Sequence, residues 1–210
     1  MIFKTVSLAT AAMGVALFLA APASAGQSVI FDNFGATNDG KDSVVGVGPL
    51  ADSLTTPSSV GFITELGLLL EGTPRGDHIV ASVLNDNGGS PGSVIGSTSK
   101  LDKVLQSTPS GVAFFHSINL SPNTRYWIEL STPDGSNVSW GWSLDNSGVG
   151  VAGQTFSNAN GVHPNSDGPY QMFVDVTGGS VPEPATWTML ILGMAGAGAM
   201  LRNRRKLAEG

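Results

Sequence analysis

Arg125-Tyr126-Trp127-Ile128-Glu129-Leu130 alternates strictly: Tyr126, Ile128 and Leu130 fall on one face, and Arg125, Trp127 and Glu129 on the other. A period of two is the pattern of a β-strand with one buried face, because successive side chains leave a strand on opposite sides. The pattern recurs in both directions along the chain. Upstream, Phe62, Leu66, Leu68 and Leu70 read as one face, with Ile63, Glu65, Gly67 and Glu71 opposite. Ile79, Ala81 and Val83 alternate with His78, Val80 and Ser82, and Val112, Phe114, His116 and Ile118 share a further face. Downstream, Val138, Trp140, Trp142 and Leu144 form another stripe, Met172, Val174 and Val176 close the series, and Val29–Phe31 opens it. Clusters of Asn, Asp, Gly, Ser and Pro separate the runs at 85–92, 108–111, 121–123, 133–137 and 158–168. No amphipathic helical period stands out between residues 26 and 180. The expectation is all-β: roughly eight to ten short strands in a jelly-roll-like antiparallel β-sandwich.

The two ends read differently. Residues 1–25 have the form of a secretory signal peptide: Lys4, an apolar run over 6–21, and Ala23-Ser24-Ala25 as a small-x-small cleavage site between Ala25 and Gly26. Residues 185–201 carry no charge. At about 1.5 Å per residue they would span roughly 25 Å as a helix, slightly under a ~30 Å hydrocarbon core. Pro182 and Pro184 set the outer boundary of such a helix, because proline is excluded from helix interiors. Arg202, Arg204, Arg205 and Lys206 then act as a membrane stop, and the positive-inside rule predicts an N-out, C-in orientation. The sandwich is thus expected to be flanked by an N-terminal signal helix and a single C-terminal transmembrane helix. The expected organisation is signal peptide 1–25, exported domain 26–180, tail segment 181–206 and a short end at 207–210.

The tail carries a resemblance. Val181-Pro182-Glu183-Pro184-Ala185-Thr186-Trp187, then Met189-Leu190-Ile191-Leu192-Gly193, a Gly/Ala-rich half and Arg202-Asn203-Arg204-Arg205 resemble the PEP-CTERM sorting signal. Its four ordered features make the match specific; Thr188, where that family commonly has a small apolar residue, is the departure. The resemblance implies an exported protein of a Gram-negative bacterium that makes extracellular polysaccharide. Its implied partners are signal peptidase and an exosortase-like processing enzyme, with Pro182, Glu183 and Pro184 as the recognised motif. It also implies temporary anchorage in the membrane, then passage to the envelope, cell surface or extracellular matrix, with exopolysaccharide or biofilm as the setting. The middle is similar to exported β-sandwich modules called choice-of-anchor domains, through residues 83–92 (Val-Leu-Asn-Asp-Asn-Gly-Gly-Ser-Pro-Gly) and 120–130 (Leu-Ser-Pro-Asn-Thr-Arg-Tyr-Trp-Ile-Glu-Leu). That family implies surface display and no agreed activity.

Composition narrows the chemistry. Between residues 26 and 181, fourteen acidic and five basic residues leave a net charge of −9. Such a domain is a poor nucleic-acid binder. The chain has no cysteine, so thiol chemistry and disulfides are excluded. Neither an HExxH motif nor a G-x-S-x-G elbow occurs; the nearest approach, Gly141-Trp142-Ser143-Leu144-Asp145, lacks the second glycine. His78, His116 and His163 show no ligand spacing, and the chain is read as a non-enzyme. Two local readings stay open. Asp32, Asp39 and Asp42 are oxygen donors for a structural calcium or members of Asx-rich turns. Trp127, flanked by Arg125 and Glu129, is a sugar-stacking surface or ordinary packing. No other cofactor is expected. The leading reading is a sorted, non-catalytic envelope or matrix protein, and the alternative is a carbohydrate-binding module for extracellular polysaccharide.

Overall fold

A computed structural model describes residues 26–72, 77–102 and 110–177, together with Met194. Twelve strands occur among them: β1 (Gln27–Asp32), β2 (Gly40–Ser43), β3 (Leu50–Thr55), β4 (Phe62–Gly72), β5 (Asp77–Asp86), β6 (Pro91–Asp102), β7 (Ser110–Asn119), β8 (Arg125–Ser131), β9 (Val138–Trp142), β10 (Thr155–Asn158), β11 (Gly161–Pro164) and β12 (Met172–Thr177). They form two six-stranded antiparallel sheets. The first runs β1-β12-β4-β9-β2, with β7 on the other side of β4; the second runs β11-β10-β3-β8-β5-β6. This is a mostly-β, two-sheet arrangement consistent with a sandwich. The only helical pieces described within the fold are single turns at Val44–Val47 and Asn165–Asp167. Among the described residues no helix is long and apolar enough to cross a membrane. The expected span at 185–201, its stop residues, the Pro-Glu-Pro motif, and the signal segment up to Ala25 lie outside them.

The alternation places the core. Tyr126, Ile128 and Leu130 of β8, Ile79, Ala81 and Val83 of β5, and Met172, Val174 and Val176 of β12 are all buried in one cluster between the sheets. Trp140 and Val138 of β9 join them. The stripe expected to run on to Leu144 stops short: Trp142 is half-buried, and Leu144, beyond the strand end, is 59% exposed.

β4 departs from the expected face. Ile63, read as outward, is buried, whereas Phe62 is 42% exposed. The cause is a β-bulge. Ile63 and Glu65 of β4 oppose Val176 and Asp175 of β12, so Thr64 is an extra residue and the faces exchange there. Downstream of the bulge Leu66, Leu68 and Leu70 point inward as predicted.

Twelve strands exceed the expected eight to ten because β2, β10 and β11 are short and show no one-sided alternation. Gly40-Lys41-Asp42-Ser43 and Gly161-Val162-His163-Pro164 each lie at a sheet edge, where one neighbour suffices and no alternation is required. At the opposite margin the sheets approach each other: Gly96 of β6 leaves room for the Ile118 side chain of β7, which a Cβ would meet at 2.8 Å.

Candidate functional site

At the β2 and β10–β11 margin a cleft lies between the two sheets. Antiparallel register explains which side chains face the gap. Gly40 pairs with Trp142 and Asp42 with Trp140, so Asp42 shares the inner face with the two indoles. Phe156 pairs with Asp52 and with His163, which puts all three on the inner face of the other sheet. A pocket of about 310 Å³ opens there to solvent, lined by Asp42, Trp142, Phe156, Asn158, Asn160, His163, Asp167 and Gly168.

Each wall has a local cause. Gly40 lies directly under the Trp142 ring; a Cβ on it would stand 2.3 Å from Cζ2. Gly168, at φ 120°, lets the chain turn close to the ring's other side, with an added Cβ 3.2 Å from Cε3. Phe156 and His163 stack with centroids 5.1 Å apart at 25°. The tight turn of the β10–β11 hairpin is tied by Asn158, whose Oδ1 accepts from the Asn160 amide at 2.9 Å.

Tyr170, fully buried, lies behind the lining. Its ring stacks on Trp140 at 4.8 Å and 18°, and meets Phe156 edge-on at 5.5 Å. Its hydroxyl donates to Asp42 Oδ2 at 2.7 Å, and Asn158 Nδ2 donates to the same oxygen at 3.4 Å. Burial first, and then the Asp42 carboxylate, push the Tyr170 phenol far above its ordinary range, so it stays a donor at every physiological pH. Behind it, fully buried Asp52 accepts from the Tyr170 amide at 2.9 Å and from Asn165 Nδ2 at 3.2 Å. Burial raises the Asp52 pKa well above the usual carboxylate value, against the opposing effect of those bonds.

The residues singled out from sequence go elsewhere, with one exception. Trp127 is fully buried in a small separate cluster with Ala51 and Leu84, and its Nε1 donates to Asp86 Oδ1 at 2.8 Å. An indole with no exposed face cannot stack on a sugar, so of the two open readings Trp127 takes ordinary packing. Its outward position in the alternation was read rightly, but the outer face of β8 is covered at that point.

The three aspartates do not gather. Asp32 Oδ1 accepts from the Phe34 amide at 2.9 Å, Asp39 Oδ2 from the Leu144 amide at 2.7 Å, and Asp42 belongs to the pocket. Among the described residues no group of three or more His, Asp or Glu side chains is arranged to hold a metal ion. His78 and His163 lie in different strands, and the side chain of His116 in β7 is outside the described set. Asp42 is therefore the one candidate ligand residue that the pocket uses, and His163, which showed no ligand spacing, lines it as well. Phe156, Asn158, Asn160 and Asp167 were passed over because an Asn/Asp/Gly-rich stretch has the composition of a loop, and Trp142 because its stripe reads as core.

Comparison with known proteins adds the tail. No curated protein matches the chain. A solved structure, described as that of the infectious bursal disease virus Gx strain, is similar over 81% of this chain at 12% identity and a TM-score of 0.27. This chain spans only half of that one, and at such a score the likeness carries no argument. Residues 180–206 match the model of the PEP-CTERM protein-sorting motif. The chain thus carries at 180–206 the signal of an exported protein sorted by an exosortase-type system and held, before processing, by a C-terminal membrane anchor.

Proposed function

We propose that this chain is a non-catalytic envelope or extracellular-matrix protein whose β-sandwich is displayed at a polysaccharide-rich surface or biofilm. The observation that carries the reading is the sorting motif at 180–206, joined to a mostly-β exported unit. Pro182, Glu183 and Pro184 are the residues the processing enzyme reads; two prolines keep the backbone extended, as a protease-like groove requires. Residues 185–201 serve as the temporary anchor, N-out and C-in, with Arg202, Arg204, Arg205 and Lys206 as the stop. The sandwich itself acts as a choice-of-anchor-like display module of jelly-roll type.

Replacing Pro182-Glu183-Pro184 with three alanines tests the reading in the native host. Intact-mass measurement of inner membrane, outer membrane and medium should find the wild-type product starting at Gly26, ending near 182–185 and absent from the inner membrane. The variant should stay there at full length behind Gly26. Equal processing of both would end the motif's role.

A further inference from the structure

We propose that the pocket between β2 and the β10–β11 hairpin binds a single sugar ring of a neutral glycan, with Trp142 and the Phe156–His163 stack as walls and Asp42, Asn158, Asn160 and Asp167 as its hydroxyl-binding groups. The inference deepens the surface-protein reading by giving the sandwich a ligand, and it rests on that reading for its biological setting.

The lining selects this chemistry by elimination and by fit. Two carboxylates and no lysine or arginine border the pocket, so a phosphate, sulfate or carboxylate ligand would meet like charge. The walls are too polar and too open for a lipid chain. Divalent-cation binding would need Asp42, Asp167 and His163 to converge, yet among the described residues no such group of three is arranged to hold a metal ion, and Asp42 Oδ2 is already engaged by Tyr170 and Asn158. Hydroxyl pairs on a sugar ring, by contrast, both donate and accept. Carboxylates answer the first and amide groups both. Aromatic rings suit the apolar C–H faces of the same ligand.

The pocket is also set in advance. Tyr170, held by the Trp140 stack and by Asp52 behind its amide, fixes Asp42 through Oδ2 and leaves Oδ1 for a ligand hydroxyl. A receptor that needs no reordering loses less free energy on binding. The volume, about 310 Å³, sits at the small end of the ~300–1,000 Å³ range for ligand sites, which matches one ring. Because the mouth is open, a glycan can continue away from the bound residue on either side.

The test uses the full chain, purified in a detergent without a sugar headgroup. Methyl glycosides of glucose, galactose, mannose and N-acetylglucosamine, and their soluble hexasaccharides, are titrated and followed by saturation-transfer NMR. At least one probe should bind, with a dissociation constant on the order of 0.1–10 mM for the monosaccharide. Asn160→Ala and Asp167→Ala, both at exposed positions, should each weaken it about three- to tenfold through one lost hydrogen bond. Trp142→Ala should abolish it. Since that variant disturbs packing, the two surface variants decide. The proposal is overturned if no probe binds, or if the Asn160→Ala/Asp167→Ala double variant binds like wild type. The sorting experiment reads the tail and this one the pocket, so either can fail alone.

Discussion

Asp52 lies on the inner face of β3, fully buried, with its two oxygens facing the Tyr170 amide and the Asn165 side chain. Its position behind the pocket makes it a support for Tyr170 rather than a ligand group. A buried carboxylate is costly when charged, and desolvation raises its pKa well above the usual value. In the unfolded chain it ionises near pH ~4. Its stabilising contribution is therefore full below that pH and falls as pH rises through the folded value. Protonated Asp52 gains a hydrogen to donate, and Asn165 Oδ1 is buried without a partner; a half-turn of the amide would bring the two together. Asp52→Asn supplies an N–H in the same place and cannot ionise. Denaturant titrations of the full chain at pH 4, 6 and 8 should show the variant's disadvantage relative to wild type largest at pH 4 and shrinking as pH rises. A difference independent of pH would mean that the folded Asp52 titrates like the unfolded one.

Among the strands, the first sheet twice sets an aromatic ring over a glycine on the adjacent strand. Trp142 of β9 covers Gly40 of β2, and Phe173 of β12 covers Gly67 of β4, with an added Cβ falling 1.9 Å from Phe173 Cε1. A cross-strand ring shields backbone that a glycine leaves bare. Gly40→Ala and Gly67→Ala should each cost roughly 1–3 kcal/mol, since a ring must leave its site. Only Gly40→Ala should also move the pocket wall, seen as a change in tryptophan fluorescence that Gly67→Ala does not produce. Equal spectra for both would show that Trp142 is not held by this pairing. Pairings of this kind bear on what could be read in advance. One-sided alternation on β5, β8 and β12 was legible because a long buried face demands it. The face of Ile63 was not, since a single bulge residue, Thr64, reverses the parity and leaves no mark in composition. Nor were Phe156 and Asn160 legible as site residues, because their neighbours arrive from β2 and β9, far away in sequence.

For the whole molecule, charge is the property that composition gave directly and that the proposed ligand must satisfy. Residues 26–181 carry −9, and no lysine or arginine lines the pocket, so no cationic surface offsets Asp42 and Asp167 there. An anionic matrix polymer approaching this chain meets repulsion that falls within a Debye length, about 10 Å at 0.1 M salt and about 30 Å at 0.01 M. A neutral glycan meets none, and its hydrogen bonds and ring packing are nearly insensitive to ionic strength. Affinity gels containing a neutral glucan or mannan should therefore retard the chain equally at 20 and 500 mM sodium chloride, values chosen as roughly the two sides of that screening range. Gels containing alginate should show no retardation at low salt and at most a slight gain at high salt. Retardation by alginate that is strongest at low salt would place a cationic surface somewhere on the chain. The tail cluster at 202–206 would then be the first segment to remove, because the proposed processing near 182–185 would eliminate it while leaving the sandwich charge unchanged.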